Sequence, residues 1–251
     1  MKYLTLMVAV CAIAILSCSP TTKISTPILP VNLEKGLMAH YPLDGDAQNA
    51  VADEHNGRIN GAVATENRSS EEDKAMEFDG QSYIDLGLDF PSLGGTKKYS
   101  ISVWFKTNEP GAIVSRWRRA TETEFVLNVS PDGATSQQRS GSGRCDGPNK
   151  FADGEWHHFL AVNNGVNYLS YIDGALECRN EVNKIASVAK KTQVMIGCVL
   201  KQGGKPLWKP ARSEVKQRMA GNTPFVGSID DLRFYSRAVN KAEVKALFEL
   251  K

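Results

Sequence analysis

The sequence has no apolar run long enough to cross a bilayer core, which takes roughly 20 residues. Its longest run, Leu4–Leu16, is shorter and ends just before Ser17 and Cys18. With the basic Lys2 in front of it, this run has the length and flanks of a secretory signal sequence. We therefore expect an exported protein without a membrane-spanning helix.

The residues at the end of this run, Ile15-Leu16-Ser17-Cys18, resemble the lipobox of bacterial lipoproteins. The resemblance implies a signal peptide over residues 1–17 and acylation of Cys18. Several acyl chains buried in the bilayer would then anchor the protein to a membrane. Residues 18–36 contain three prolines and several Ser and Thr, which predicts an extended tether. The predicted location is the bacterial cell envelope, on the outer membrane in a Gram-negative cell. The alternative is an ordinary signal peptide with a cysteine near its cleavage site.

The chain has almost no excess of either charge, and it has few cysteines. The chain has 30 Lys and Arg against 28 Asp and Glu, a balance that predicts no nucleic-acid partner. Apart from Cys11 in the leader and Cys18, which is predicted to carry lipid, only Cys145, Cys178 and Cys198 remain. Export permits a disulfide, but the sequence does not choose among the three possible pairings. No spacing of Cys and His indicates zinc.

Short segments rich in β-branched and aromatic residues follow one another along most of the chain. Asp173-Gly174 lies between two of them, which is the pattern of a tight hairpin. Helical periodicity occurs only near the end, where Asn240 and Glu243 form a capping box. We predict an all-β fold, a two-sheet antiparallel β-sandwich over residues 37–251, with a short C-terminal helix. The predicted strands are Leu37–Pro42, Ala75–Phe78, Tyr83–Leu86, Tyr99–Lys106, Ala112–Arg116, Phe125–Val129, His157–Asn163, Tyr168–Ile172, Ala175–Cys178, Gln193–Val199 and Phe225–Tyr235.

Several motifs occur in a set order along the chain. After the opening Gly36–Gly45 they read FDG with YI (78–84), ISVWFK (101–106), WHHFLAV with YIDG (156–174) and GSIDDLRFY (227–235). In this order they resemble the laminin-G-like jelly-roll family of the concanavalin A-like lectin and glucanase group. The resemblance covers residues 36–251 and implies a concanavalin A-like jelly roll. The ligand must be argued from a site, because one fold supports many activities.

The carboxylates of the chain are poorly arranged for hydrolysis. Glucanases on related sandwiches need acidic residues at alternating strand positions, so that all of them face one cleft. Glu71-Glu72-Asp73 and Glu77 are out of register, while Asp230-Asp231 are adjacent and predicted to face opposite ways. His157 and His158 are likewise adjacent, and no Gly-x-Ser-x-Gly occurs. We therefore predict that the protein is not an enzyme, with a glycoside hydrolase as the weaker alternative.

The loop after the first strand is rich in Asp and Asn, whose oxygens are the ligands that Ca²⁺ prefers. The laminin-G-like resemblance implies a structural calcium ion where this loop meets the first aspartate of the IDD motif. The predicted metal ligands are Asp230, Asp44, Asn49 and Asp53. The alternative is that these residues form turns through hydrogen bonds of their own side chains.

Two tryptophans occur among basic residues, one in Arg116–Arg119 and one in the segment 200–222. If the two segments meet, they form an aromatic and cationic patch suited to an anionic glycan. The alternative is a solvated basic face on which each ring packs against Lys and Arg side chains. Trp104 and Trp156 match scaffold positions of the resembling family and are predicted to be buried. The predicted ligand-binding residues are Arg116, Trp117, Arg118, Lys205, Trp208 and Lys209.

Together these features favour a membrane-tethered carbohydrate-binding module at the cell surface. One alternative is an adhesion or scaffold domain that binds a protein, because laminin-G-like domains also do this. A purely structural role in the envelope is a further alternative.

Overall fold

The computed structural model describes residues 31–93, 98–117, 123–139, 143–182, 192–201, 205–206 and 223–250. They form short strands and one helix, as the pattern of the sequence predicts. The strands are β1 (Leu37–Tyr41), β2 (Arg58–Asn60), β3 (Val63–Thr65), β4 (Ala75–Asp79), β5 (Tyr83–Asp85), β6 (Tyr99–Lys106), β7 (Gly111–Trp117), β8 (Thr123–Val129), β9 (Ala134–Arg139), β10 (Gly143–Lys150), β11 (Trp156–Asn163), β12 (Asn167–Ile172), β13 (Ala175–Glu181), β14 (Met195–Ile196), β15 (Leu200–Lys201), β16 (Lys205–Pro206) and β17 (Val226–Tyr235). The helix, α1, spans Lys241–Glu249.

Two antiparallel sheets contain most of these strands. The eight-stranded sheet runs β13-β12-β11-β6-β17-β4-β3, and the seven-stranded sheet runs β10-β9-β8-β7-β14-β5-β2. β1 also belongs to the first sheet and pairs with the second half of β17, while β4 pairs with its first half. β15 and β16 pair separately. The predicted sandwich is confirmed.

The core lies between the two sheets. In β6, Tyr99, Ile101, Val103 and Phe105 point into it, and they alternate with Ser100, Ser102 and Trp104 on the outer face. This period of two is the geometry of a strand. We call the side facing away from the seven-stranded sheet the outer face of the eight-stranded sheet.

Helix α1 covers part of this outer face. Asn240 accepts hydrogen bonds from the main-chain nitrogens of Ala242 and Glu243, and the Glu243 side chain accepts one from the Asn240 nitrogen. The predicted capping box is thus confirmed. Val244 and Leu247 pack onto outer-face residues of β11 and β17, including Leu160 and Tyr235. The helix does not cover the whole outer face of the eight-stranded sheet.

A disulfide joins the two sheets at one edge. Cys145 of β10 bonds Cys178 of β13, with their Cα atoms 5.7 Å apart. β10 is an edge strand of the seven-stranded sheet and β13 an edge strand of the eight-stranded sheet. The third cysteine, Cys198, is free and buried, and burial raises the pKa of its thiol to about 12.

The strands that the sequence pattern missed are polar or very short. β9 and β10 have few β-branched or aromatic residues (ATSQQR and GRCDGPNK). β2 and β3 have only three residues each (RIN and VAT), and backbone pairing with neighbours holds all four strands in the sheets. The predicted strand Gln193–Val199 is shorter in the structure, because only Met195–Ile196 pairs regularly. Among the described residues, no helix is both long and apolar enough to cross a bilayer.

Candidate functional site

An open groove of about 740 Å³ lies on the outer face of the eight-stranded sheet, beside the C-terminal end of α1. Its volume is within the range of small-molecule sites in proteins. Four parts of the fold form it: the strands β6 and β11, the turn between β12 and β13, the end of α1 through Leu250, and the segment between β3 and β4 that carries Arg68 and Ser69. Residues far apart in the sequence therefore meet at one site.

Aromatic rings form the apolar part of this groove. Trp104, on the outer face of β6, is only 7% exposed, and the ring of Phe248 stacks near it with centroids 5.8 Å apart and an angle of 21°. Trp156, at the start of β11, is half-buried and lines the same groove. Since Phe248 and the neighbouring guanidinium of Arg68 already cover Trp104, Trp156 is the indole that a ligand can reach.

The Arg68 guanidinium closes one side of the groove. Its carbon atom lies 4.7 Å from the centroid of the Trp104 ring, which is a cation–π distance. Nη1 donates a hydrogen bond to Asp230 and Nη2 donates one of 3.2 Å to the main-chain oxygen of Leu250. The side chain of Arg68 is 12% exposed and that of Asp230 is 4% exposed. This ion pair is therefore largely buried.

A β-bulge in β17 lies directly behind this ion pair. The register of β17 with β6 shifts between Asp230 and Arg233, and Asp231 has a positive φ of 49°. The prediction that Asp230 and Asp231 face opposite ways is wrong, because the bulge brings the Asp231 carboxylate within 3.8 Å of Arg68 Nη2. Asp231 also pairs with His40 at 2.7 Å and with Arg233 at 2.9 Å. Burial alone would raise the pKa of Asp231, but hydrogen bonds from His40 and Arg233, together with their positive charge, lower it to about 2.

His157 and two carboxylates form the polar edge of the groove. Nδ1 of His157 lies 2.8 Å from Asp173 and Nε2 lies 3.2 Å from Asp153. Burial acts to lower the pKa of His157, but the hydrogen bonds and negative charges of these carboxylates outweigh burial and raise it. The other oxygen of Asp173 accepts a hydrogen bond of 2.8 Å from the main-chain nitrogen of His158. Both oxygens of Asp173 are thus engaged in holding the edge of the groove.

The predicted ligand-binding residues do not form this groove. Arg116 is 4% exposed; its guanidinium donates to the main-chain oxygens of Thr192 and Phe90 and pairs with Glu124 at 3.4 Å. The prediction that Arg116 binds a ligand at the surface is therefore wrong, because its side chain is buried and hydrogen-bonded to main-chain oxygens of two other segments. Trp117 is half-buried and packs against Ala112, Val126 and Val199 on the other sheet. Arg118, Trp208, Lys209 and the side chain of Lys205 lie outside the described part of the structure.

Three of the four predicted calcium ligands, Asp230, Asp44 and Asn49, are engaged in other contacts. Asp230 pairs with Arg68, and Asp44 pairs with Lys74 at 2.9 Å. The amide oxygen of Asn49 accepts hydrogen bonds from the main-chain nitrogens of His40 and Val51, and Asp53 is exposed. Among the described residues, no three His, Cys, Asp or Glu side chains form a group able to hold a metal ion. This donor set does not fit a calcium ion, which takes six to eight oxygens.

The groove residues carry few signals in the sequence. Trp156 matches a scaffold position, Phe248 belongs to the apolar stripe of α1, and Arg68 lies in a polar loop. The arrangement offers a half-buried indole that lines the groove, charged groups already paired with one another, and an open shape. Such a surface suits reversible binding of a ligand with one apolar face and several hydrogen-bonding groups.

Comparison with known proteins agrees with this architecture. The family model for the Concanavalin A-like lectin/glucanases superfamily matches residues 78–245. No curated protein sequence matches the chain.

Three solved structures illustrate the likeness. Domain 4 of AbnA, a GH43 extracellular arabinanase from Geobacillus stearothermophilus solved with arabinotriose, is 19% identical with a TM-score of 0.61, over 85% of this chain and 98% of that one. The ligand-binding domain of Botulinum neurotoxin serotype D, solved with N-acetylneuraminic acid, is 11% identical with a TM-score of 0.58, over 85% and 50%. A mutant Trypanosoma rangeli sialidase is 12% identical with a TM-score of 0.55, over 85% and 32%. This chain thus spans half of the toxin chain and about a third of the sialidase.

At these identities the solved structures establish likeness of fold alone. The family model, however, matches more than half of the sequence, and the two-sheet topology agrees with it. The chain belongs to the Concanavalin A-like lectin/glucanases superfamily.

Proposed function

We propose that the protein is an extracytoplasmic carbohydrate-binding module, tethered to a membrane, whose ligand lies in the groove beside Trp156. The observation that carries this proposal is the groove itself, which combines an accessible indole with polar groups held in place by their neighbours. Arabinotriose and N-acetylneuraminic acid in the solved structures of similar domains support a sugar as the ligand class.

The charges of the groove favour a neutral glycan over an anionic one. Arg68 is already paired with Asp230, and His157 lies between Asp153 and Asp173. Glu249 adds a further carboxylate to the lining. An anionic sugar would therefore meet no unpaired cation among these residues. The anionic ligand expected for the Trp117 and Trp208 patch would have to bind elsewhere on the molecule.

We propose binding without hydrolysis at this groove. A glycosidase needs one carboxyl group to donate a proton and a second to act as nucleophile or base. Asp173 accepts hydrogen bonds at both oxygens, from His157 and from the main chain of His158. Its role is therefore to position His157 and the hairpin turn.

The test is retention on an array of neutral and acidic glycans, followed by titration of the best ligand. We expect Trp156→Ala to weaken binding about 10-fold or more, since truncating a tryptophan that anchors a binding site costs on the order of 2 kcal/mol. Trp156→Phe keeps a smaller ring and should retain part of the affinity. Release of reducing sugar by the parent protein would instead favour the hydrolase.

Trp117→Ala is the matched control, because it removes the same side chain from the other sheet. If Trp117→Ala abolishes binding and Trp156→Ala does not, the ligand belongs to the basic patch rather than the groove. If the parent protein retains no glycan at all, the carbohydrate proposal fails and a protein ligand becomes the better interpretation. Thermal unfolding of both variants shows whether a variant that has lost binding is still folded.

A further inference from the structure

Arg68 connects four separate parts of the fold. Its guanidinium donates to the Asp230 side chain of β17 and to the main-chain oxygen of Leu250 after α1. It also lies over the Trp104 ring of β6, and it belongs to the segment between β3 and β4. One side chain therefore holds a surface segment against the sheet and the helix end.

The surroundings of Arg68 are acidic and buried. Asp230 and Asp231 are 3% and 8% exposed, and both have an oxygen within 4 Å of the guanidinium. Asp231 has His40 and Arg233 as further partners, whereas Asp230 has no other ion pair among the described residues. A buried carboxylate without a cation costs several kcal/mol. When Asp230 is ionised, its position thus requires a positive charge beside it.

Arginine and calcium meet that requirement in different ways. A calcium ion needs six to eight oxygens that converge on one point, whereas a planar guanidinium distributes five N–H donors among separate acceptors. The groups around Arg68 have the second arrangement, because its acceptors belong to Asp230 and Leu250 and its flat face lies on Trp104. The side-chain oxygen of Asn49 already accepts hydrogen bonds from the main-chain nitrogens of His40 and Val51.

We propose that the Arg68 guanidinium is the cation of this site, in the place where the family resemblance predicts calcium, and that folding is therefore independent of divalent metal. Arg68 also fixes the wall of the groove next to Trp104, so binding at the groove needs no metal. The metal independence of folding stands whether or not the groove binds a sugar.

The first experiment measures the thermal midpoint of the purified parent protein with a chelator and with millimolar calcium. We expect the same midpoint in both, and no heat of calcium binding by titration calorimetry. A midpoint that falls with the chelator or rises with calcium would overturn the proposal. This measurement requires no variant and does not depend on any glycan.

The second experiment examines the charge pair. Arg68→Gln leaves Asp230 buried without its cation, and we expect the midpoint at pH 8 to fall by roughly 10 °C. Arg68→Gln with Asp230→Asn removes both charges and should recover a large part of that loss. A double variant no more stable than Arg68→Gln would contradict the assignment. If Arg68→Gln does not fold, recovery of folding in the double variant provides the same test.

Arg58→Gln is the matched control. Arg58 pairs with Asp85 at 2.8 Å, but its side chain is 75% exposed, so its loss should change the midpoint very little. A fall as large as that of Arg68→Gln would mean that any arginine in an ion pair matters equally, and would overturn the special role of Arg68.

Discussion

At the scale of single residues, His157 and His158 follow one another on β11, but their pKa values shift in opposite directions. His158 is fully buried, and burial lowers its pKa to about 4, so the ring is neutral at pH 7. Its Nε2 lies 2.8 Å from the hydroxyl of Ser102. His157 instead lies between two carboxylates that raise its pKa. The alternation of side chains along β11 places the His158 ring on the outer face, next to Trp104, and the His157 ring on the opposite side, next to Phe105 and Phe151.

His158 should make the protein less stable in mild acid. The unfolded chain protonates this histidine near its ordinary pKa of 6.5 and the folded chain only near 4. The unfolded state therefore binds more protons between these values, and stability falls as the pH drops through the window. The loss approaches roughly 3 kcal/mol. We expect urea unfolding to show it in the parent protein and not in His158→Gln.

The comparison with His158→Gln also removes the effect of Asp230. Burial raises the pKa of Asp230 to about 7, so its contribution to stability changes with pH in the opposite sense, being lost as the pH rises. Parent and variant share this contribution, and their difference isolates His158. A difference that stays constant from pH 7 to pH 4 would mean that His158 is not held neutral.

At the scale of elements, the edges of the sandwich are closed in different ways. At one edge the disulfide between β10 and β13 crosses from sheet to sheet. At the other, the short strands β2 and β3 follow one another and pair in different sheets. Gly61, between them, has a φ of 80°, a conformation that glycine adopts without strain. The chain thus passes between the sheets at one edge, and a covalent bond joins them at the other.

Removing the disulfide should lower stability without changing the fold. The cysteines are separated by 33 residues, and closing such a loop in the unfolded chain contributes about 4 kcal/mol in the chain-entropy model. We expect Cys145→Ala with Cys178→Ala to unfold at a clearly lower urea concentration than the oxidised parent. The reduced parent is the control and should match the variant, because Cys198 is buried in both. An unchanged midpoint would mean that the bond contributes nothing to stability.

At the scale of the whole molecule, residues 31–251 form one compact unit, and the chain enters it near the start of α1. The main-chain oxygen of Asn32 accepts a hydrogen bond of 3.0 Å from Arg237, which also pairs with Glu243 in the first turn of the helix. The groove lies beside Phe248, at the other end of α1.

Membrane attachment itself remains a proposal, based on the resemblance of residues 15–18 to a lipobox. We expect the parent protein to incorporate a labelled fatty acid and to sediment with membranes. Cys18→Ser should lose the label and lose membrane attachment, since the acyl chains are the anchor. Cys11→Ser, within the same leader, is the matched control and should behave as the parent. Labelling that persists in Cys18→Ser would refute the assignment.

Much of the fold was predictable because local patterns determine it. Strand alternation in Tyr99–Lys106, the hairpin at Asp173-Gly174 and the capping box of Asn240 and Glu243 all agree with the structure. The polar strands β9 and β10 were missed, since pairing with neighbouring strands rather than their own composition holds them in place. The groove was also missed, because its aromatic residues have the same pattern as residues of the scaffold.

The sequence by itself determined the class of fold, the positions of most strands along the chain and the C-terminal helix, because those depend on periodicities of two and 3.6 residues. Only the tertiary structure decided the pairing of Cys145 with Cys178, the burial of Arg116 and the contact of Arg68 with Asp230, which are 162 residues apart. A buried charge finds its partner by position in space, and no local pattern encodes such a position. The bulge at Asp231 and the groove beside Trp156 arise for the same reason, since each depends on several strands packed together.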